Sequence, residues 1–177
     1  MNGNDAIAEI LKAEGAEYLF CYPDNQLIHS CAAAGIRPVM SRTERTTVNM
    51  AEGYTRMLNG EKNGVVVTQA GPGIENAYGG IAHAYADSVP ILVIPGGTVR
   101  GRINSNPDFD AVANYKGITK WSGQINQTGR ISEFLRRAHT FLRTGRGAPV
   151  LLEVPSDVAM EQIDANPVTY TPVRSIK

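Results

Sequence analysis

The strongest constraint on the fold of this chain is an alternation of short apolar runs with amphipathic segments. Residues 18–22, 65–68, 91–94 and 150–154 are runs rich in branched or aromatic side chains, and Gly or Pro follows each run closely. Segments with apolar residues at helical spacing, such as residues 131–142, lie between them. This order predicts an α/β domain with an open, doubly wound, mostly parallel sheet of about six strands and helices on both faces.

Two segments of the chain fit this pattern less regularly. Pro38 interrupts the apolar run at residues 36–40, which predicts an edge strand because proline cannot donate to a sheet ladder. Residues 98–115 are polar and rich in Arg and Asn, and they predict a long loop with room for one short helix.

Length and charge favour one ordinary globular domain. The 177 residues suffice for one well-cored domain, with 17 Lys plus Arg balanced by 17 Asp plus Glu. Zero net charge argues against a nucleic-acid or anionic membrane surface. No apolar run approaches the ~20 residues of a membrane span, and no signal sequence opens the chain, so we expect a cytoplasmic location. Residues 1–160 are the predicted domain, and residues 161–177, which carry Pro167 and Pro172, are a linker-like tail.

Ligands of open parallel sheets bind at the carboxyl ends of strands, which draws attention to Glu44. It follows the predicted strand at residues 36–40 and opens a predicted helix at residues 44–58. By itself, a carboxylate in the first turn is explained by the helix dipole. A surface ion pair with Arg42 or Arg45 explains it as well.

The second candidate strand end carries the turn Gly71-Pro72-Gly73. It joins the buried strand at residues 65–68 to a helix, and its glycines let the backbone approach a ligand closely. The turn matches neither GxxxxGK[ST] nor GxGxxG, which disfavours a Walker phosphate loop and a dinucleotide site. A tight strand-to-helix turn without any ligand explains it equally well.

The order of these motifs along the chain is more specific than either one alone. TER at residues 43–45 is followed by MAEGYTR at 50–56, by the Gly71-Pro72-Gly73 turn with Asn76, and by DSVPI at 87–91. GAPVLLEVPSDV at 147–158 completes the pattern. The chain closely resembles the N-terminal, pyrimidine-binding domain of thiamine-diphosphate-dependent enzymes in the acetolactate synthase and 2-oxoacid decarboxylase family. The resemblance covers nearly the whole chain and is far more specific for the domain than for a substrate.

The resemblance implies a catalytic role for Glu44. In that family a carboxyl group hydrogen-bonds N1′ of the cofactor's aminopyrimidine. The 4′-imino tautomer is thereby favoured, and its nitrogen takes the proton from C2 of the thiazolium. Arg42 and Arg45 would oppose this chemistry if they faced Glu44, so we expect both to point elsewhere.

Further residues are implied as neighbours of the cofactor or substrate. The family's Gly-Pro-Gly turn lies near the pyrimidine ring, and the end of the first strand borders it, with Asp24 standing where the family has glycine. The implied cofactor-binding residues are Tyr22, Pro23, Gly71, Pro72, Gly73 and Asn76. Asn25, Gln26, Gln69 and His83 are the substrate-facing candidates, although His83 is also explained as an ordinary packed or exposed helix residue.

The family's diphosphate-binding half is missing from the sequence. No Gly-Asp-Gly motif occurs, so the resemblance implies that thiamine diphosphate is shared with a diphosphate-binding (PP) subunit or domain, which also holds Mg²⁺. No metal ligand is assigned to this chain. It is either a piece of a longer enzyme or one subunit of a split enzyme, and a hetero- or homo-oligomer is expected in both cases.

The reaction is implied only as a class. The family's Phe-Gln pair is absent from residues 98–115, so acetolactate synthesis itself is not implied. The expectation is a lyase or transferase that decarboxylates or ligates a 2-oxo acid and is incomplete without its partner. The alternative is a non-catalytic regulatory or assembly partner with the same fold.

Overall fold

A computed structural model describes residues 1–23, 25–105, 108–163 and 169–174, and it contains a single six-stranded sheet. The strands are β1 (Tyr18–Cys21), β2 (Arg37–Met40), β3 (Val65–Thr68), β4 (Leu92–Gly97), β5 (Trp121–Gln124) and β6 (Val150–Pro155). Every pairing is parallel, in the order β2-β1-β3-β4-β6-β5. The predicted fold class is confirmed, and β2, which contains Pro38, is an edge strand as predicted.

Helices cover both faces of the sheet. They are α1 (Gly3–Ala13), α2 (Leu27–Ala33), α3 (Glu44–Met57), α4 (Pro72–Ala86), α5 (Ala111–Asn114), α6 (Ile131–Arg143) and α7 (Ser156–Met160). Two 3₁₀ turns, Arg100–Arg102 and Thr128–Arg130, complete the described helical structure. The helix α5 is the short helix expected within residues 98–115, of which Asn106 and Pro107 lie outside the described residues. The short helix α7 is not predicted from the sequence.

The alternation of side chains along each strand produces two separate apolar cores. Leu19 and Val67 point into the core that α1, α2, α6 and α7 cover. Phe20 and Val66 point into the opposite core, beneath α3, α4 and α5. Because parallel strands in the middle of a doubly wound sheet are buried on both faces, they consist of consecutive apolar residues.

The end of the described chain returns to α1. Tyr170 donates a hydrogen bond from its hydroxyl to the Glu14 carboxylate, and the backbone amide of Val173 donates to Glu14 Oε1 at 2.9 Å. The described part of the predicted linker-like tail therefore packs against the domain. Among the helices of the described residues, none is long and apolar enough to cross a membrane.

Candidate functional site

Three loops meet at the carboxyl edge of the sheet. Because β2, β1 and β3 are parallel neighbours, the connections that leave their carboxyl ends lie side by side. They bring Tyr22 and Pro23, Glu44, and the turn Gly71–Gly73 to one edge. Asp24, the expected departure from the family pattern, lies outside the described residues.

Glu44 is the first residue of α3, and its carboxylate is buried at this edge. Thr43 is the N-cap, and its hydroxyl accepts a hydrogen bond from the amide of Thr46 at 3.2 Å. Glu44 itself is only 7% exposed. The side-chain amide of Asn76 on α4 donates a hydrogen bond of 2.6 Å to Glu44 Oε2. Within the described chain, Oε1 accepts no hydrogen bond, so one carboxylate oxygen is fixed while the other stays available to a ligand.

The Gly-Pro-Gly turn passes close to this carboxylate. Gly71 has φ +61° and ψ −113°, a conformation that side chains disfavour, and Pro72 begins α4 where no amide hydrogen is needed. A Cβ on Gly73 would lie 2.8 Å from the Cβ of Gln69 and 3.6 Å from Glu44 Oε1. Gly73 therefore allows the backbone to run beside Glu44 and places no side chain next to Oε1.

The neighbouring arginines do not neutralise Glu44. Arg42 and Arg45 are both exposed, and a Cβ on Gly79 would lie 3.8 Å from the guanidinium carbon of Arg45. Arg45 therefore lies over the middle of α4. Neither arginine forms an ion pair with Glu44 in the described part of the chain, so a surface ion pair does not explain the carboxylate.

A cavity of about 300 Å³ opens next to the turn and gathers three of the predicted substrate-facing residues. Asn25, Gln26 and Gln69 all line it. Asn25 is held firmly, because its Nδ2 donates to Thr68 O at 3.0 Å and its Oδ1 accepts from the amide of Leu27 at 3.0 Å. The bond to Thr68 O ties the loop after β1 to the end of β3, and the bond from Leu27 ties the same loop to the start of α2.

His83 lies in a different place from the other substrate-facing candidates. It is ten residues beyond Gly73 on α4, about 15 Å along the helix. Its Nδ1 lies 3.0 Å from Glu52 Oε2, and its Nε2 lies 3.8 Å from Asp87 Oδ2. The structure thus separates His83 from Gln69 and from the cavity.

The group around His83 contains a set of side chains that could ligate a metal, which sequence reasoning missed. Glu52, His83 and Asp87 have ligand atoms within 4.8 Å of one another. However, Nη2 of Arg56 lies 2.5 Å from both Glu52 Oε1 and Asp87 Oδ2. Because this guanidinium already supplies a positive charge to both carboxylates, the group is a charge network joining α3 to α4. Its members are distant in sequence, and no local spacing pattern signals them.

The fold and the carboxyl edge of the sheet together define a class of domain. It is a doubly wound α/β domain in which a buried carboxylate lies beside a Gly-Pro-Gly turn at that edge. Comparison with known families gives this class a name. Residues 1–120 match the family described as "Thiamine pyrophosphate enzyme, N-terminal TPP binding domain", and the chain belongs to this family. The predicted resemblance is confirmed.

Individual relatives are longer than this chain. The acetolactate synthase large subunit of Lactococcus lactis is 35% identical over 92% of this chain and 29% of its own length. The probable acetolactate synthase large subunit of Methanocaldococcus jannaschii is 34% identical over 93% of this chain and 28% of its own. Glyoxylate carboligase of Escherichia coli O157:H7 is 32% identical over 98% of this chain and 30% of its own length. The chain therefore spans less than a third of the length of these relatives.

Proposed function

We propose that this chain is the pyrimidine-binding half of a thiamine-diphosphate-dependent 2-oxoacid decarboxylase or carboligase, in which Glu44 activates the cofactor. The observation that carries the proposal is the geometry of Glu44. Its carboxylate is buried, held through Oε2 by Asn76, and left without a described partner at Oε1 beside Gly73. A solvated first-turn carboxylate that only complements the helix dipole needs neither burial nor such a partner.

The residues at this edge fit the pyrimidine end of the cofactor. Gly73 offers backbone without a side chain beside Glu44 Oε1, which suits a flat ring lying against it. Tyr22 and Pro23 border the same edge from the end of β1. Thiamine diphosphate, when bound, supplies an electron sink for decarboxylation of a 2-oxo acid. Glu44 would hold or release a proton at a ring nitrogen, and Asn76 would keep its carboxylate in one orientation.

The substrate would lie on the cavity side of the same edge. Asn25, Gln26 and Gln69 face the cavity that adjoins the Gly-Pro-Gly turn. We therefore propose these three residues as substrate contacts. The separation of His83 from the cavity gives no support for a substrate role, and its contacts favour the explanation that it is a helix residue in a charge network.

The other half of the cofactor requires a partner. The family description names an N-terminal binding domain, and the relatives extend well beyond the matched region. We propose that a diphosphate-binding subunit or domain holds the diphosphate and Mg²⁺ and covers the edge around Glu44 and Pro72. Pro72 is exposed and Tyr78, further along α4, is 40% exposed, so apolar surface is available for such a contact in a hetero- or homo-oligomer.

The second candidate function is a non-catalytic assembly partner with the same fold. The buried carboxylate of Glu44 argues against it, because a domain that supplies only contacts has no need of a desolvated carboxylate at this edge of the sheet. Full activity of the diphosphate-binding partner without this chain would favour this alternative.

Calorimetric titration of thiamine diphosphate with Mg²⁺ tests the proposal. The titration is made into the chain alone and into the chain assembled with its diphosphate-binding half. Binding only in the assembly, followed by turnover of a 2-oxo acid, is the expected result. Glu44→Gln should remove turnover while leaving assembly unchanged, and Glu75→Gln, an exposed carboxylate on the first turn of α4, is the matched control.

Turnover by the Glu44→Gln variant can contradict the proposed role of Glu44. If Glu44→Gln turns over substrate at a near-normal rate in an assembly that binds the cofactor, Glu44 does not activate it. If the assembled protein binds no thiamine diphosphate at all, the non-catalytic alternative gains support instead.

A further inference from the structure

The cavity beside Gln69 is built entirely from this chain. It lies at the carboxyl ends of β1, β3, β4 and β6, on the face of the sheet that α1 and α7 cover. Gly96 helps to keep it open, since a Cβ there would lie 3.4 Å from the amide nitrogen of Ala70 and 3.5 Å from Nδ2 of Asn25. The lining residues are Asn4, Asn25, Gln26, Leu27, Gln69, Ala70, Ile94, Gly96, Gly97, Val154, Ser156, Ala159 and Met160.

Uncharged hydrogen-bonding groups dominate the polar part of this lining. Gln26 and Gln69 are exposed, and Gln26 forms no capping hydrogen bond with its side chain. Asn4 is only 3% exposed, yet its Nδ2 donates to the sulfur of Met160 at 3.8 Å. Because a thioether is a weak acceptor, the Asn4 amide keeps hydrogen-bonding capacity for a better partner. None of the lining residues, all of which are described, is charged.

The floor of the cavity is apolar. Leu27, Ile94 and Val154 belong to the core beneath α1 and α2, and they are almost completely buried. A ligand in this cavity would therefore meet hydrocarbon below and amide groups at the sides. Such a combination is typical of pockets that bind small organic molecules.

The helix ends at this edge do not turn the cavity into an anion site. The first turn of α1 is closed by a capping box, in which Asp5 Oδ2 accepts from the Asn2 amide and Asn2 Oδ1 accepts from the Asp5 amide. The first amide of α2, on Leu27, already donates to Asn25. The carboxylate of Asp5 also offsets the positive end of the α1 dipole. The helix α7, which begins at the lining residue Ser156, likewise carries an acidic residue, Asp157, in its first turn.

We propose that this cavity binds the side arm of the substrate and selects arms that end in a neutral hydrogen-bonding group over arms that end in an anion. The proposal deepens the proposed function and rests on it. An anionic end, such as a carboxylate or sulfonate, would lose its hydration without gaining a positive partner. An apolar end would leave the amides of Asn4 and Gln69 without the hydrogen bonds that a polar end provides.

The assembled enzyme tests the selectivity with three 2-oxo acids of similar length. They are the 5-methyl ester of 2-oxoglutarate, which is neutral and polar, 2-oxoglutarate, which is anionic, and 2-oxoheptanoate, which is apolar. We expect kcat/KM to be at least about tenfold higher for the ester than for either of the others. Equal or higher kcat/KM for 2-oxoglutarate or 2-oxoheptanoate overturns the proposal.

Gln69→Leu should remove most of the preference for the ester over 2-oxoheptanoate, because it replaces an amide on the cavity wall by hydrocarbon. Gln127→Leu is the matched control, since Gln127 is exposed and lies outside the cavity. If Gln69→Leu and Gln127→Leu leave the preference equally intact, Gln69 does not determine specificity.

A binding measurement separates failure of this inference from failure of the proposed function. Propionamide and propionate are titrated into the ¹⁵N-labelled chain, and the side-chain amide resonances of Asn4, Asn25 and Gln69 are followed. Saturable shifts with propionamide and none with propionate support the inference, even if the assembled protein turns over no 2-oxo acid. Equal shifts with propionate, or no shifts with either probe, overturn it, even if the enzyme is active.

Discussion

Asn76 Nδ2 donates a hydrogen bond of 2.6 Å to Glu44 Oε2, and this bond joins the N-terminal part of α4 to the first turn of α3 at the carboxyl edge of the sheet. It holds a carboxylate that is almost completely buried in one orientation and leaves the second oxygen toward the glycine turn. A single hydrogen bond contributes about 0.5–1.5 kcal/mol, which is enough to favour one rotamer of Glu44 over the others.

Removal of the Asn76 amide should therefore destabilise the chain. We expect Asn76→Leu to lower the free energy of unfolding by about 0.5–1.5 kcal/mol, because the buried carboxyl group of Glu44 loses its hydrogen bond while the exposed Asn76 side chain itself loses little. Urea denaturation measures the change. Asn49→Leu, at an exposed position of α3, is the control and should stay within about 0.5 kcal/mol of the unmodified chain. An unchanged unfolding free energy in Asn76→Leu would show that the bond does not hold Glu44.

A methyl group on Gly73 should disturb the turn. In Gly73→Ala the new Cβ would lie 2.8 Å from the Cβ of Gln69, so the backbone has to shift, and we expect a loss of about 1–3 kcal/mol in unfolding free energy. Cofactor binding by the assembled protein should weaken as well. Gly129→Ala is the control, since nothing lies within 4 Å of its added Cβ. Equal stability and affinity in the two variants would show that the close approach at Gly73 is unimportant.

Thr68 carries a buried hydroxyl without a hydrogen-bond partner in the described chain. Thr68→Val replaces it with a methyl group of nearly the same shape, so we expect the free energy of unfolding to rise by about 1 kcal/mol. Thr55→Val is the matched contrast: its hydroxyl donates to Ala51 O at 3.0 Å and accepts from the Gly64 amide at 2.8 Å, so its loss should destabilise the chain. Destabilisation by both substitutions would mean that the Thr68 hydroxyl is needed.

His139 should make stability depend on pH. Burial lowers its pKa from 6.5 to about 4, and neither ring nitrogen has a hydrogen-bond partner among the described residues. The unfolded chain binds the proton first as pH falls, so His139 destabilises the fold by about 1.4 kcal/mol per pH unit between pH 6.5 and about 4. Measured by urea denaturation, the unfolding free energy of His139→Leu relative to the unmodified chain should therefore rise by about 1.4 kcal/mol for each unit by which pH falls within this range. No such pH-dependent difference is expected for His29→Leu, where the histidine is exposed.

Glu153 should act in the opposite direction. Burial, aided by Asp110 and Asp108, raises its pKa from 4.5 to about 7 despite the hydrogen bond from Gln124. The unfolded chain loses this proton first as pH rises, so the contribution of Glu153 is complete below pH 4.5 and is lost between pH 4.5 and about 7. Between pH 4.5 and 6.5 the two contributions largely cancel. Glu153→Gln should therefore expose a rise of unfolding free energy with pH, and a flat profile in that variant would contradict the assignment.

Much of the fold follows from local pattern. Consecutive apolar residues at residues 65–68 predict a strand buried on both faces, and Pro38 predicts an edge strand. Both expectations hold, because burial and backbone hydrogen bonding act directly on each residue type. The short helix α7 and the packing of Tyr170 against Glu14 have no comparable local signal.

The candidate site also has features that the sequence predicts and features that it does not. The positions of Glu44 and Gly71–Gly73 at strand ends follow from the chain order, since parallel topology gathers the carboxyl ends of the strands. The chain order does not predict that Glu44 pairs with Asn76 or that His83 lies apart from Gln69. Both facts depend on where along two packed helices each side chain lies.

The sequence by itself determined the α/β alternation, the edge of the sheet that carries the candidate site and the family to which the chain belongs. Only the tertiary structure decided that Glu44 is buried with one oxygen free, and that Asn4, Asn25 and Gln69 line one uncharged cavity. The physical reason is that periodicity specifies which face of an element is apolar. The angle and register at which helices pack then determine which polar side chains meet across those faces.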